Sequence, residues 1–166
     1  MVSCRKWIAA AGLIVLLNSC IEKSQDGKPK PAKTDSIDLI TTGTKLVPAF
    51  AQMDSIAILF YKDPFGADEE RYTRYYTLFT SHTDSVIGRV QQNMDLPFTE
   101  DSLRNCRSEG KMYCFSKGKV VQTVYFNTLQ QNCTQLYFIH EGRYYYFKPL
   151  QSLILQLASL KKQARE

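Results

Sequence analysis

Between Lys111 and Phe147 four runs rich in aromatic and β-branched residues are set apart by turn signals: Lys-Met-Tyr-Cys-Phe, a Lys117-Gly118 reversal, Lys119 to Asn127, a polar loop, Thr134 to His140, a Glu141-Gly142 reversal, and Arg143 to Phe147. Side chains of these kinds suit a pleated, half-buried surface. Glycine as the second residue of each reversal supplies the positive φ that a tight hairpin needs. Four consecutive antiparallel strands are therefore predicted, and the rest of the chain has to be arranged around them. Ser55 to Tyr61 reads as another strand, ended by Asp63-Pro64-Phe65-Gly66, and a second strand is expected over about Tyr72 to Thr80. Ser81 and Thr83 are capping residues for a helix that sets Val86, Ile87, Val90 and Met94 on one face before Pro97 stops the pattern. Pro149 starts a last helix with an apolar stripe of Leu150, Leu153, Ile154, Leu157 and Leu160, and Lys161, Lys162 and Arg165 near its end complement the helix dipole. Ser36 to Met53 shows no clear pattern. The fold class expected is α+β, an antiparallel β-sheet of about six strands with two helices packed chiefly on one face.

The start of the chain obeys a different logic. Arg5 and Lys6 precede an apolar run from Trp7 to Leu17, followed by Asn18-Ser19-Cys20. Such a run is well short of the roughly 20 residues that a membrane-spanning helix needs, and suits the apolar region of a secretory signal. Leu17-Asn18-Ser19-Cys20 resembles the lipobox of bacterial lipoproteins, departing from its commonest form at Asn18. That resemblance implies removal of a signal peptide over residues 1–19, lipidation of Cys20, and attachment to a membrane through the N-terminal lipid. The chain is also similar to small envelope lipoproteins of Gram-negative bacteria, which implies a cell-envelope address at the outer membrane, either periplasmic or surface-exposed. Residues 20–36 read as the lipidated cysteine and a flexible tether. Glu22 to Lys33 is rich in lysine and proline and has too few apolar groups to bury. One α+β domain is expected over residues 37–166.

Loss of Arg5 and Lys6 with the leader lowers the formal charge from +5 to +3, and the remaining charges are scattered. Nucleic acid is not an expected partner, because no basic patch is concentrated anywhere. With Cys4 in the leader and Cys20 carrying lipid, Cys106, Cys114 and Cys133 are left for the domain. Pairing Ser116 with Lys119 and Asn127 with Thr134 places Cys114 opposite Val121, and Val121 opposite His140, toward one end of the sheet. Cys106 and Cys133 lie toward the other end, flanking one strand, within the reach of a disulfide. A Cys106–Cys133 bridge is expected, with Cys114 the spare thiol.

The same register sorts the side chains. One face holds Met112, Cys114, Val121, Thr123, Tyr125, Leu136, Phe138, Tyr145 and Phe147 and suits a core. The other holds Tyr113, Phe115, Val120, Gln122, Val124, Phe126, Gln135, Tyr137, Ile139, Tyr144 and Tyr146. Cover by the Ile56 to Tyr61 strand, the second strand or the unassigned segment is the plainer expectation for this second face. Left open, it would be a binding surface built on Tyr113, Tyr137, Tyr144 and Tyr146, because tyrosine joins an apolar ring to a polar tip. Arg107, in the charged stretch before the strand at Lys111, is a further contact candidate; the solvated-turn reading is the blander one.

Chemistry has little foothold. The histidines are His82 and His140, without paired metal-ligand spacing, so no metal is expected. Nucleotide and nucleophile-elbow motifs are missing from the sequence, and no cofactor is expected. Cys114 and His140 are possible neighbours, yet a thiol on a packed face is usually a small core residue. The function expected is a non-enzymatic module that binds an envelope protein or peptide. The alternative is an envelope hydrolase whose Ser or Cys nucleophile no motif marks. Convergent polar groups around His140 in a pocket would favour the hydrolase, and an uncovered tyrosine face would favour binding.

Overall fold

Lys117 and Gly118 have φ of 51° and 72°, and Glu141 and Gly142 have φ of 50° and 76°. Left-handed conformation at both central residues defines the type I′ turn, whose twist matches that of the strands it joins. The computed structural model describes residues 41–67 and 76–166. In chain order these form α1 (Gly43–Leu46), a 3-10 turn (Pro48–Gln52), β1 (Ser55–Tyr61), β2 (Tyr76–Ser81), α2 (Asp84–Met94), β3 (Thr99–Asp101), β4 (Gly110–Ser116), β5 (Lys119–Asn127), a second 3-10 turn (Gln131–Cys133), β6 (Gln135–His140), β7 (Arg143–Phe147) and α3 (Gln151–Gln163). The expected leader, Cys20, the tether, the start of the domain at residue 37 and the first residues of the expected second strand lie outside the described residues.

The architecture is α+β. Seven antiparallel strands form one sheet in the order β2-β1-β4-β5-β6-β7-β3. About six strands and two helices are legible from the sequence. The additional strand is β3, three exposed residues paired with Tyr144–Tyr146, and the additional helix is the single turn α1. The segment without a sequence pattern thus yields, from residue 41 onward, α1 and a 3-10 turn, which bury Val47 and Phe50.

Both long helices lie on one face. Val86, Ile87, Val90 and Met94 of α2 and Leu153, Leu157 and Leu160 of α3 join the core formed with Ile56, Ile58, Phe60, Met112, Cys114, Val124, Phe126, Leu136, Phe138, Tyr145 and Phe147. Burying side chains of this size contributes about 1.5–3 kcal/mol each relative to leaving them in water, before chain entropy is counted. Thr83 occupies the N-cap position of α2 without a side-chain capping bond, and Ser81 Oγ instead accepts the Thr83 N–H at 3.0 Å. Asn93, fully buried, joins the two helices: its Nδ2 donates to Arg89 O at 2.7 Å and its Oδ1 accepts the Leu150 N–H at 2.8 Å.

The register corrects the expected faces. Ser116 pairs with Lys119 and Phe115 with Val120, but a β-bulge follows, so Cys114 meets Gln122 rather than Val121. Val121 is the extra residue, and beyond it β5 turns over, because a shift of one residue exchanges every side chain between faces. Val124 and Phe126 therefore enter the core, whereas Thr123 and Tyr125 leave it. The next pairing is also shifted, with Asn127 opposite Gln135 rather than Thr134. The two shifts cancel, and Leu136 and Phe138 stay in the core.

Candidate functional site

Alternation along β7 sends Tyr145 and Phe147 into the core and Tyr144 and Tyr146 to the opposite face. Cross-strand pairing aligns Leu78, Leu59, Lys111, Tyr125, Tyr137, Tyr146 and Thr99 in one row that crosses all seven strands. Within that row the Tyr125 and Tyr137 rings stack at 4.9 Å, and Tyr137 and Tyr146 lie 5.3 Å apart. Tyr144, two residues along β7, sits 6.2 Å from Tyr137 and 6.3 Å from Tyr146. Offset stacking of this kind is favourable beyond the area it buries. The four rings form a ladder in which Tyr125 stacks on Tyr137 and Tyr144 on Tyr146, with Tyr137 tilted against the latter two.

Part of this ladder is covered. The segment between β3 and β4 is fastened by the Cys106–Cys133 disulfide, whose Cα atoms are 5.7 Å apart. Tyr146 Oη donates to Ser102 O at 3.1 Å and accepts the Arg104 N–H at 3.0 Å, and the Arg104 guanidinium lies 4.1 Å from the centre of its ring. Tyr146 is consequently 3% exposed and supports the ladder from beneath the loop. Ser108 Oγ lies 3.3 Å from Tyr137 Oη. Arg107 donates from Nη1 to Gly66 O at 2.6 Å, and its own carbonyl accepts Asn127 Nδ2 at 2.7 Å. It ties this loop to the turn after β1. Glu109, also 3% exposed, accepts from Thr128 N at 3.1 Å and Thr128 Oγ1 at 2.7 Å, with Lys161 Nζ at 3.4 Å from its other oxygen.

The structure brings Tyr137, Tyr144 and Tyr146 together and adds Tyr125, which the expected register assigns to the core. Tyr113 lies on the same face on β4, opposite Thr123, with Lys111 Nζ 5.1 Å from its ring centre. Tyr113, Tyr125, Tyr137 and Tyr144 are half-buried, and exposed Val120 and Ile139 flank them. An open groove of about 300 Å³ lies alongside, lined by Val120, Val121, Gln122, Thr123, Tyr125 and Ile139. Gln122 Nε2 donates to Ile139 O at 2.9 Å at its margin. β1 and β2 are neighbours of the ladder within the sheet rather than a cover over it, and Val47 and Phe50 of the preceding segment pack on the helix side.

No protein-family model, curated protein or solved structure matches the chain. Its chemistry must be read from its own side chains. Among the described residues no three His, Cys, Asp or Glu groups converge to hold a metal ion, and no helix is long and apolar enough to cross a membrane. Cys114 is fully buried on the core face, and burial pushes its thiol up to about 12. A thiol that stays protonated is a poor nucleophile. His140 sits beside Glu141, with Nε2 3.9 Å from the carboxylate. Asp54 has its carboxyl held below the usual range by the Lys117 N–H and the Ser55 hydroxyl; the Lys117 bond, at 2.5 Å, fastens the β4–β5 turn.

Proposed function

We propose that the chain is an envelope lipoprotein, anchored by lipid on Cys20, whose domain binds a protein or peptide through its tyrosine ladder and catalyses no reaction. The observation that carries the binding half is the half-buried ladder of Tyr125, Tyr137 and Tyr144 beside exposed Ile139 and Val120, on the sheet face opposite the helices. Rings already held by their neighbours lose little side-chain freedom when a partner docks, which favours affinity. Their edges offer apolar contact and a hydroxyl together, the combination that enriches tyrosine at interfaces. Nucleophilic hydrolysis has no comparable support, since Cys114 is sealed in the core and remains a thiol.

The test is crosslinking in intact cells followed by mass spectrometry, with the unaltered chain beside Tyr144→Ala combined with Ile139→Ser. Truncating a single hot-spot residue costs about 2 kcal/mol or more. Recovery of a reproducible partner is accordingly expected to fall at least about thirtyfold in the variant. Undiminished recovery of the same partner would place binding elsewhere. The anchoring half has its own measurement. Each acyl methylene contributes about 0.8 kcal/mol to membrane attachment, so Cys20→Ala is expected to move the protein from the membrane to the soluble fraction. Unchanged membrane retention, without an acylated peptide in the parent, refutes the anchor.

A further inference from the structure

The two edges of the sheet are protected unequally. β3 is three residues long, carries Glu100 and Asp101, and begins two residues after Pro97. Short, charged edges resist pairing with other chains. β2 runs for six residues, Tyr-Thr-Leu-Phe-Thr-Ser, without a charge or a proline, and Tyr76 and Leu78 are 47% and 41% exposed. That composition is what free edges ordinarily avoid.

In an antiparallel ladder alternate residues turn both backbone groups to the same side. Leu78 turns its pair away from β1: its N–H donates to Arg165 O at 2.7 Å, and its carbonyl accepts the Arg165 N–H at 3.1 Å. Tyr76 and Thr80 share this outward orientation, and among the described residues their backbone groups meet no partner on that side. Among the described residues the guard on this edge is one residue after α3, aided by the Lys62–Glu166 ion pair and by partly buried Ala164. Two hydrogen bonds and an exposed ion pair form a modest closure.

We propose that the outer edge of β2 is a self-pairing surface for a second copy of this chain, and that the Arg165 bridge keeps it closed. A twofold axis through Leu78 would set the two Leu78 residues opposite each other and Tyr76 opposite Thr80, matching each outward N–H with an outward carbonyl. No charge on β2 repels its own copy or selects a charged foreign strand.

The experiment uses mild oxidation of the purified full chain carrying Leu78→Cys, with and without Arg165→Pro. Proline removes the donor to the Leu78 carbonyl, and the preceding Ala164 is already extended, as the residue before proline must be. Hydrogen-bonded antiparallel partners have Cα atoms about 5.5 Å apart, within disulfide reach. Mass spectrometry of the linked peptides is expected to show at least a fivefold rise in linkage between the introduced thiols when Arg165→Pro is added. Tyr76→Cys should show no such rise, because two copies of position 76 would stand about 13 Å apart along the strands. No rise at position 78, or an equal rise at both positions, overturns the proposal. An intact Cys106–Cys133 linkage reports folding in every variant. Should Arg165→Pro lose it, Leu78→Cys in a chain stopped after Gln163 takes its place, with the same two outcomes.

Discussion

Replacing Cys106 and Cys133 together by serine is expected to lower the free energy of unfolding by about 3.5 kcal/mol. The bridge closes a loop across a sequence separation of 27 residues, and removing it returns to the unfolded chain the freedom that this closure withholds. The folded state suffers as well, and at a definite place. Residues 102–108 reach over Tyr146 and Tyr137 through the Ser102, Arg104 and Ser108 contacts, and the bridge fastens that stretch to the loop between β5 and β6. Urea unfolding of the parent and the double variant measures the loss, and hydrogen exchange should show it spread to the amides of Arg104 and Tyr146. A difference below about 1 kcal/mol, within the range of ordinary surface contacts, would contradict this account of the loop.

How far the sequence speaks for the structure depends on the range of the interaction. β1, β5 and β7 begin and end where their local patterns place them, and both long helices show their buried stripes, because those signals lie within one element. The bulge leaves no comparable mark. Val120 and Val121 are equally good strand formers, and whether one of them drops out of pairing is settled by whether Val124 and Phe126 or Thr123 and Tyr125 fill the core. Phe126 wins partly because Gly110 opposite it has room for no side chain: a Cβ there would lie 2.6 Å from the Phe126 ring and 2.3 Å from Leu59 O. Read alone, Gly110 is merely the end of a charged turn. β3 and α1 are too short to hold a period.

The site divides along the same line. Tyr137, Tyr144 and Tyr146 share a face through the Glu141-Gly142 hairpin, whose register follows from its turn. Tyr125 depends on the bulge at Val121, earlier in its own strand. Arg107 finds the carbonyl of Gly66, 41 residues distant in the chain, a pairing that no local pattern encodes. The burial of Tyr146 likewise depends on a loop whose path is set by the disulfide and by hydrogen bonds to backbone groups.

Two adjacent residues of β6 give that register a quantitative test. Phe138 is fully buried, with ring centres 5.4 Å from Phe50, 5.5 Å from Tyr145 and 5.6 Å from Phe147. It fills the space between the central strands and the 3-10 turn before β1, and on α1 Gly43 approaches so closely that a Cβ there would meet its ring at 3.3 Å. Phe138→Ala removes the transfer free energy of the ring and leaves a cavity that these neighbours cannot close, a loss of about 3–5 kcal/mol. Natural domains hold only about 5–15 kcal/mol in total, so the variant should be on the verge of unfolding. Ile139, one residue along, is 39% exposed on the ladder face, and Ile139→Ala should change stability by only about 0.5 kcal/mol, as surface substitutions do. Sliding β6 by one residue would exchange these two values, because it exchanges the faces. Urea midpoints showing Phe138→Ala mild and Ile139→Ala severe would therefore turn over both the sheet register and the tyrosine ladder built on it.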